Sequence, residues 1–529
     1  MLIKSDPDEI ESFLTDASHM RDGQAERVVF PENGDDVAEI LREASEKGTP
    51  VTVSGAGTGT VGGRIPFAGI VLATDKLDQI KSVVHKEGGG RACAEAGVRL
   101  GDLQRFVESE HLFYPPDPTE RSCFLGGTVA TNASGARTFK YGPTRKYVQR
   151  LKIALATGEL IDLHREELQA DAMGRIKIPL PSGRSLEAQL PAYHMPHTRK
   201  HASGYYVAPE MDVLDLFIGS EGTLGVIVDV EVALLPKPEG LLSGVVFFKT
   251  DEDILSFVSE ARSLSLANRQ SHDREARRLG PLVEKALEVT RRYARSSAKI
   301  SDQAVSLIDA RALEYFDRES LGFLRQKYET IPAEAVGAIF FEQETTPASE
   351  DSLMTEWLAI LEQHEALVES SWFATGEQDQ ARLREFRHAL PVLMNEWFAR
   401  HQQRKVSTDM SVPDEAFPEM LRFYQDTLRT SELRYTIFGH IGDNHVHVNI
   451  LPRDDDEAVK AREIYMQFLK RAAALGGTLS AEHGIGKLKR DYLRLFYTEQ
   501  HLREMAALKR AFDPVGILGR GNIFAEEYL

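Results

Sequence analysis

The spacing of apolar positions divides the chain into two regions of different rhythm. In residues 35–47, Val37, Ile40, Leu41 and Ala44 recur at the interval of one helix face, so a helix packed on a core is expected. Short apolar runs at 51–54 and 70–73 predict strands, and 98–109 a second helix. The runs 151–156 and 160–163 flank Thr157-Gly158-Glu159, a hairpin signal. A strand over 226–235 stops at Leu235-Pro236-Lys237-Pro238, where two prolines close together mark a boundary. Beyond it, 253–267, 281–295, 353–364, 380–400, 457–475 and 499–516 read as helices. Residues 304–308, 336–342 and 405–413 read as strands, and 435–451 as a broken β run. This alternation predicts an α+β domain with antiparallel strands.

Composition narrows the classes. The 529 residues are 42% hydrophobic and 27% charged, as in ordinary globular proteins. No apolar run reaches the roughly 18 residues of a membrane span. Asp6, Asp8, Glu9 and Glu11 argue against a targeting segment at the start. Two cysteines, Cys93 and Cys123, exclude a disulfide framework and a thiolate-held cluster, so a reducing, cytoplasmic setting is expected. The net charge of -18 disfavours nucleic acid and anionic lipid, and an anionic substrate would need clustered local cations.

Three glycine-bearing segments carry candidate chemistry. Val53-Ser54-Gly55-Ala56-Gly57-Thr58-Gly59-Thr60-Val61-Gly62-Gly63 follows a strand and leaves backbone N–H groups free to converge on an oxyanion. It lacks the lysine of a nucleoside-triphosphate loop, and Gly62, Gly63 and Pro66 break the helix a nicotinamide fingerprint needs. The second segment, Phe124 through Gly135, reads Phe-Leu-Gly-Gly-Thr-Val-Ala-Thr-Asn-Ala-Ser-Gly, and the third is Gly219-Ser220-Glu221-Gly222-Thr223-Leu224-Gly225-Val226-Ile227. Three such segments within about 200 residues suggest one long, phosphate-bearing ligand. Later, His440, His445 and His447 cluster around a Gly442-Asp443-Asn444 turn, and Glu482-His483 follows. Imidazoles with a carboxylate suit zinc or manganese. Arg384 and Arg387 on a helical stretch are candidates to hold a carboxylate.

These motifs together resemble the FAD-binding domain of the vanillyl-alcohol oxidase and p-cresol methylhydroxylase (PCMH) superfamily. Within it they resemble the FAD-linked D-2-hydroxyacid dehydrogenases acting on D-lactate, D-2-hydroxyglutarate or glycolate. The resemblance implies an α+β fold, with a two-subdomain PCMH-type FAD-binding domain over 1–238. A substrate (cap) domain with an antiparallel sheet over 239–500 and a segment returning to the FAD domain over 501–529 complete it. It implies that Ser54, Gly55, Ala56, Gly57, Thr58 and Gly59 wrap the FAD pyrophosphate. Pro116, Gly126, Gly127, Thr128, Asn132, Ser134 and Gly135 would line the flavin and pyrophosphate. Glu221, Gly222, Gly225, Ile227 and Asn522 would contact the rest of the cofactor. No histidine lies between residues 51 and 84, where some relatives attach FAD covalently, so non-covalent FAD is expected.

By the same resemblance, His440, His447 and Glu482 bind the metal, zinc before manganese, Asn449 contacts substrate and His483 is the base. Arg387 is favoured over Arg384 as the substrate-carboxylate clamp, with Lys405 as a nearby cation. His445 stands where the family usually has asparagine and is open as a fourth ligand or a neighbour facing substrate. The implied reaction is oxidation of a D-2-hydroxyacid to the 2-oxoacid, with metal-assisted deprotonation and hydride transfer to flavin N5. Electrons would leave to a separate iron–sulfur subunit, a flavoprotein carrier or a quinone. A homodimer and peripheral membrane association through a partner are compatible with this. The alternatives are an FAD-dependent oxidase of another alcohol or a sugar, or a flavin subunit of a larger electron-transfer complex.

Overall fold

The structure, a computed structural model, describes residues 1–271 and 306–529. Two compact units divide it: Met1–Lys237 with Gln403–Tyr435 and Asp443–Leu529, and Pro238–Gln402 with Thr436–Gly442. The helix expected over 281–295 lies outside the described residues, as do residues 304 and 305 of the strand expected over 304–308.

In the first unit, strands Leu2–Lys4, Arg27–Phe30, Ile70–Ala73 and Val51–Ser54 lie in that order. The first pair is antiparallel and the others are parallel. Strands Arg27–Phe30 and Val51–Ser54 run parallel on either side of Ile70–Ala73, and helix Gly34–Lys47 makes the crossover between them. The Asn33 side chain accepts from the Asp36 N–H at its start, and Gly48 ends it at φ 66°. Val37, Ile40, Leu41 and Ala44 pack on Val51, Ile70, Leu72 and Val228, as the spacing predicts. Each fully buried Val, Leu or Ile contributes about 1.5–3 kcal/mol to holding this helix on the sheet.

A second sheet runs Ile80–Lys86, Gly89–Glu95, Val226–Pro236, Val148–Ala154, Leu160–His164, all antiparallel. The hairpin expected around Thr157-Gly158-Glu159 is present, with Ala154 opposite Leu160. The sequence reading missed a further hairpin, Arg175–Pro179 with Ser185–Gln189.

The return to the first unit begins at Gln403, not at residue 501. Hydrogen bonds tie these later residues to the first segment of the unit, with Arg199 Nη2 donating to Asp414 Oδ2 at 2.8 Å. Ser203 Oγ accepts from Ser480 N–H at 2.7 Å and donates to Ser480 O at 3.0 Å. Val51 N–H donates to Ile517 O at 2.8 Å, and Gly519 N–H to Val51 O at 3.0 Å, so the tail runs beside the strand that opens the glycine loop. Lys509, 1% exposed, bonds Asp513 and the carbonyls of Thr223 and Leu518. That satisfied cation pins helix Glu499–Phe512.

The second unit carries strands Trp372–Ala374, Gly240–Phe248, Gly337–Thr345, Ala312–Phe316 and Tyr435–Gly439, paired antiparallel in that order. Residues 306–308 are not strand; the strand in this region is Ala312–Phe316. Helices cover 251–271, Glu350–Gln363 and Glu377–His401. Trp357 is fully buried and stacks on Phe341 with ring centroids 4.2 Å apart. The last helix runs through Pro391, which has no N–H to offer the carbonyl of Arg387 four residues earlier. Among the described residues no helix is long and apolar enough to cross a membrane.

Candidate active site

The glycine loop, the Gly126–Gly127 segment and the Glu221–Gly225 segment all face one cavity of about 350 Å³ in the first unit. Gly55, Ala56, Gly57, Thr58, Gly59, Gly126, Gly127, Thr128, Ser134, Gly222, Gly225 and Ile227 line it. A Cβ on Gly59 or Gly127 would meet no atom within 4 Å. Gly57 sits at φ 79°, and a Cβ there would fall 2.5 Å from Arg64 Cζ. The wall is therefore backbone and hydroxyl, a surface suited to a pyrophosphate-bearing ligand such as FAD.

Four expected contacts do not line this cavity, each for a local reason. Ser54 is fully buried, and its Oγ accepts from Arg64. Asn132, at φ 48°, takes His201 O and Arg145 N–H as partners and so builds a turn. A Cβ on Gly135 would lie 2.0 Å from Asp117 O, so this glycine permits close packing. Pro116 gives its carbonyl to Gln104 Nε2 at 2.8 Å. Asn522 and Glu221 do line the cavity but are engaged with protein. Asn522 Nδ2 donates to Gly63 O, and its Oδ1 accepts from Lys487 Nζ. The Glu221 carboxylate accepts from Ile485 N–H at 2.7 Å and Gly486 N–H at 2.6 Å. Glu221 thus borders the cavity and fastens the loop that follows Glu482-His483.

That loop brings Glu482 and His483 to the same cavity. Glu482 Oε2 accepts from Ser134 Oγ at 3.0 Å and from Lys200 Nζ at 3.1 Å. Its Oε1 lies 3.2 Å from His447 Nε2. His447 Nδ1 lies 3.1 Å from Thr408 O. A carbonyl only accepts, so Nδ1 carries the ring proton and Nε2 the lone pair. Two acceptors then face each other at 3.2 Å, an arrangement a cation between them resolves. The ligand atoms of His445, His447 and Glu482 lie within 4.8 Å of one another, so the donor set fits a divalent ion.

Asp409, 2% exposed, organises this region. It accepts from His483 N–H at 3.0 Å and Lys489 Nζ at 2.7 Å, and its carboxylate is 3.4 Å from His483 Nδ1. Burial opposes its charge, yet His483, Lys489 and His445 hold it well below the usual carboxylate range. His483 stacks on His447, centroids 5.4 Å apart at 8°. Burial pushes the His483 pKa down to about 4, leaving a neutral ring at pH 7. His445 is fully buried with its Nε2 3.3 Å from Asp409, and burial lowers its pKa to about 3. Asn444 takes φ 53° and donates to Asp414 Oδ1 at 2.8 Å. Asparagine tolerates this left-handed turn, which accounts for the departure from glycine there. Asn449 is 2% exposed, and its Nδ2 has no hydrogen-bond partner among the described residues. Lys405, expected nearby as a cation, is exposed and, among the described residues, has no hydrogen-bond or ion-pair partner. The buried charge of its segment is Asp409, because only Val406–Ser407 pairs with His447–Ile450.

In the second unit, His440 and Arg387 share Glu314. His440 Nδ1 lies 2.6 Å from Glu314 Oε1, and Arg387 Nε donates to Glu314 Oε2 at 3.2 Å.

Two family models match the sequence: an FAD binding domain over residues 25–164, and the C-terminal domain of FAD linked oxidases over residues 281–523. The chain carries both of these domains and is an FAD-dependent oxidoreductase. This FAD-dependent oxidoreductase is 28% identical over 519 residues to glycolate oxidase subunit GlcD of Bacillus subtilis (strain 168), covering 97% of this chain and 92% of that one. It is 28% identical to a D-lactate dehydrogenase of Anaerostipes hadrus, covering 98% of this chain and 93% of the relative. It is 27% identical to a D-2-hydroxyglutarate dehydrogenase of Stutzerimonas stutzeri (strain A1501), covering 94% and 90%. A solved alkyldihydroxyacetonephosphate synthase shares the fold at a TM-score of 0.61 and 13% identity, over 98% of this chain and 81% of that chain. Sequence reasoning about the oxidoreductase missed Lys200, Asp409 and Glu314. For Glu314 the available signal was a charge inside the apolar run 312–316, which a buried site must pair, whereas Lys200 and Asp409 lie among polar neighbours and carried no such signal.

Proposed function

We propose that the chain oxidises a D-2-hydroxyacid of the lactate, 2-hydroxyglutarate or glycolate class to the 2-oxoacid. The observation that carries this is the single cavity bordered by the glycine segments, Glu482 and His483. The unsatisfied, buried amide of Asn449 supports a polar substrate beside that group. Bound FAD would supply the hydride acceptor, and a divalent ion on His440, His447 and Glu482 would supply a Lewis acid for the substrate hydroxyl. His483, neutral and partly exposed, takes the hydroxyl proton. Arg387 binds the substrate carboxylate through paired donors. Non-covalent attachment is supported by Cys123, which lines the cavity but whose thiol burial pushes up to about 12, keeping it protonated. A separate iron–sulfur subunit, a flavoprotein carrier or a quinone would take the electrons onward. A second reading, a flavin subunit within a larger electron-transfer complex, draws on the naming of the Bacillus relative as a subunit.

Arg387→Ala is expected to raise the substrate KM and slow flavin reduction, with roughly a ten- to hundredfold loss in kcat/KM. Arg387→Lys recovers little, because an ammonium lacks two parallel donors. Stopped-flow reduction with both variants checks this. Damage from Arg384→Ala with a near-neutral Arg387→Ala would move the clamp one helical turn. Two neutral variants would favour an alcohol or sugar as the substrate.

A further inference from the structure

Glu314 sits at the centre of strand Ala312–Phe316, in which every residue is buried. A carboxylate in such a place must be paired to remain charged. Its two oxygens have different partners: His440 Nδ1 at 2.6 Å from Oε1, and Arg387 Nε at 3.2 Å from Oε2. The side chains of Glu314, His440 and Arg387 are 4, 6 and 10% exposed, so water screens the cluster weakly. On another edge of the guanidinium, Arg387 Nη1 lies 3.2 Å from His388 Nε2.

The chemistry of each contact is directional. A carboxylate only accepts, so His440 carries its proton on Nδ1 and its lone pair on Nε2. That is the tautomer a metal requires, and a carboxylate behind the ring also raises its basicity. The same carboxylate takes the Nε proton of Arg387 and fixes the plane of the guanidinium, which sets where its remaining donors point. We propose that Glu314 is a positioning residue that orients His440 toward a divalent metal and Arg387 toward the substrate carboxylate with one side chain. This inference rests on the roles given above to His440 and Arg387. It adds that the metal and carboxylate subsites are mechanically joined, so that one substitution loosens both. A purely structural ion pair would affect melting temperature and leave metal affinity and KM alone.

The test uses the FAD-loaded full chain and Glu314→Gln, whose single carbonyl oxygen can serve only one of the two donors. Zinc affinity is measured by competition with a chelator, and KM and kcat are measured at saturating zinc. Flavin content and melting temperature are recorded beside them. Zinc binding is expected to weaken roughly ten- to hundredfold. At saturating zinc, kcat is expected to recover while KM stays raised. Wild-type zinc affinity and KM in Glu314→Gln would overturn the proposal. If that variant does not fold, the shorter Glu314→Asp, which keeps the charge, is measured by the same criteria, and wild-type values in it are equally fatal. A wild-type protein that takes up neither zinc nor manganese overturns the metal reading itself and the His440 half of this inference. The KM arm then decides the Arg387 half.

Discussion

His483→Ala is expected to slow reduction of the flavin by roughly two to four powers of ten, the scale of general base catalysis. The expectation follows from three properties of the ring. It borders the cavity lined by the glycine segments. Its Nδ1 lies 3.4 Å from Asp409, a buried charge that orients the ring. Its pKa, pushed down to about 4 by burial, keeps it unprotonated and ready to accept at neutral pH. The substitution is expected to leave flavin and metal content unchanged, because Glu482 and His447 keep their own anchors on Ser134, Lys200 and Thr408. Stopped-flow reduction together with metal analysis reads both. Loss of metal with the ring would make His483 a ligand, and an unchanged rate would remove it from the chemistry.

Prolonged chelation is expected to abolish turnover while FAD stays bound, and zinc or manganese is expected to restore it. The glycine segments that line the cavity supply none of the candidate ligands His440, His447 and Glu482, and of these only Glu482 borders the cavity, which is why FAD can stay when the ion leaves. His447 Nε2 and Glu482 Oε1 face each other at 3.2 Å as acceptors once Thr408 O fixes the ring proton on Nδ1, and a cation between them relieves that pairing. Full turnover in freshly purified, untagged protein holding far less than one equivalent of metal would contradict this account.

Much of the scaffold was legible because periodicity reports burial. The face Val37, Ile40, Leu41, Ala44 could only be a helix on a core, and Pro236 could only end a central strand. The glycine segments were legible because no other residue leaves so much backbone exposed at a cavity wall. The side chains behind them were less so. Glu221 and Asn522 border the cavity, as expected of cofactor contacts, but both are also engaged with backbone groups far away in sequence, and no local pattern records such pairings. Lys405 drew notice as a cation beside a predicted strand, yet strand pairing covers only Val406–Ser407 and the interior charge is Asp409. Glu314 stayed hidden because its strand was expected at 304–308, several residues too early. Asp409 and Glu314 become conspicuous only when their partners, 73 to 126 residues away for His483, Lys489, Arg387 and His440, arrive beside them.

The central claim is that this flavoprotein oxidises D-2-hydroxyacids. The most direct measurement is anaerobic bleaching of the bound flavin by a panel of D-lactate, D-2-hydroxyglutarate, glycolate, their L-enantiomers where they exist, and simple alcohols and sugars. The account predicts rapid bleaching by at least one D-2-hydroxyacid or glycolate, none by the matching L-acid, and loss of that bleaching in His483→Ala. Bleaching by an alcohol or sugar lacking a carboxylate, with every 2-hydroxyacid inert, would contradict it.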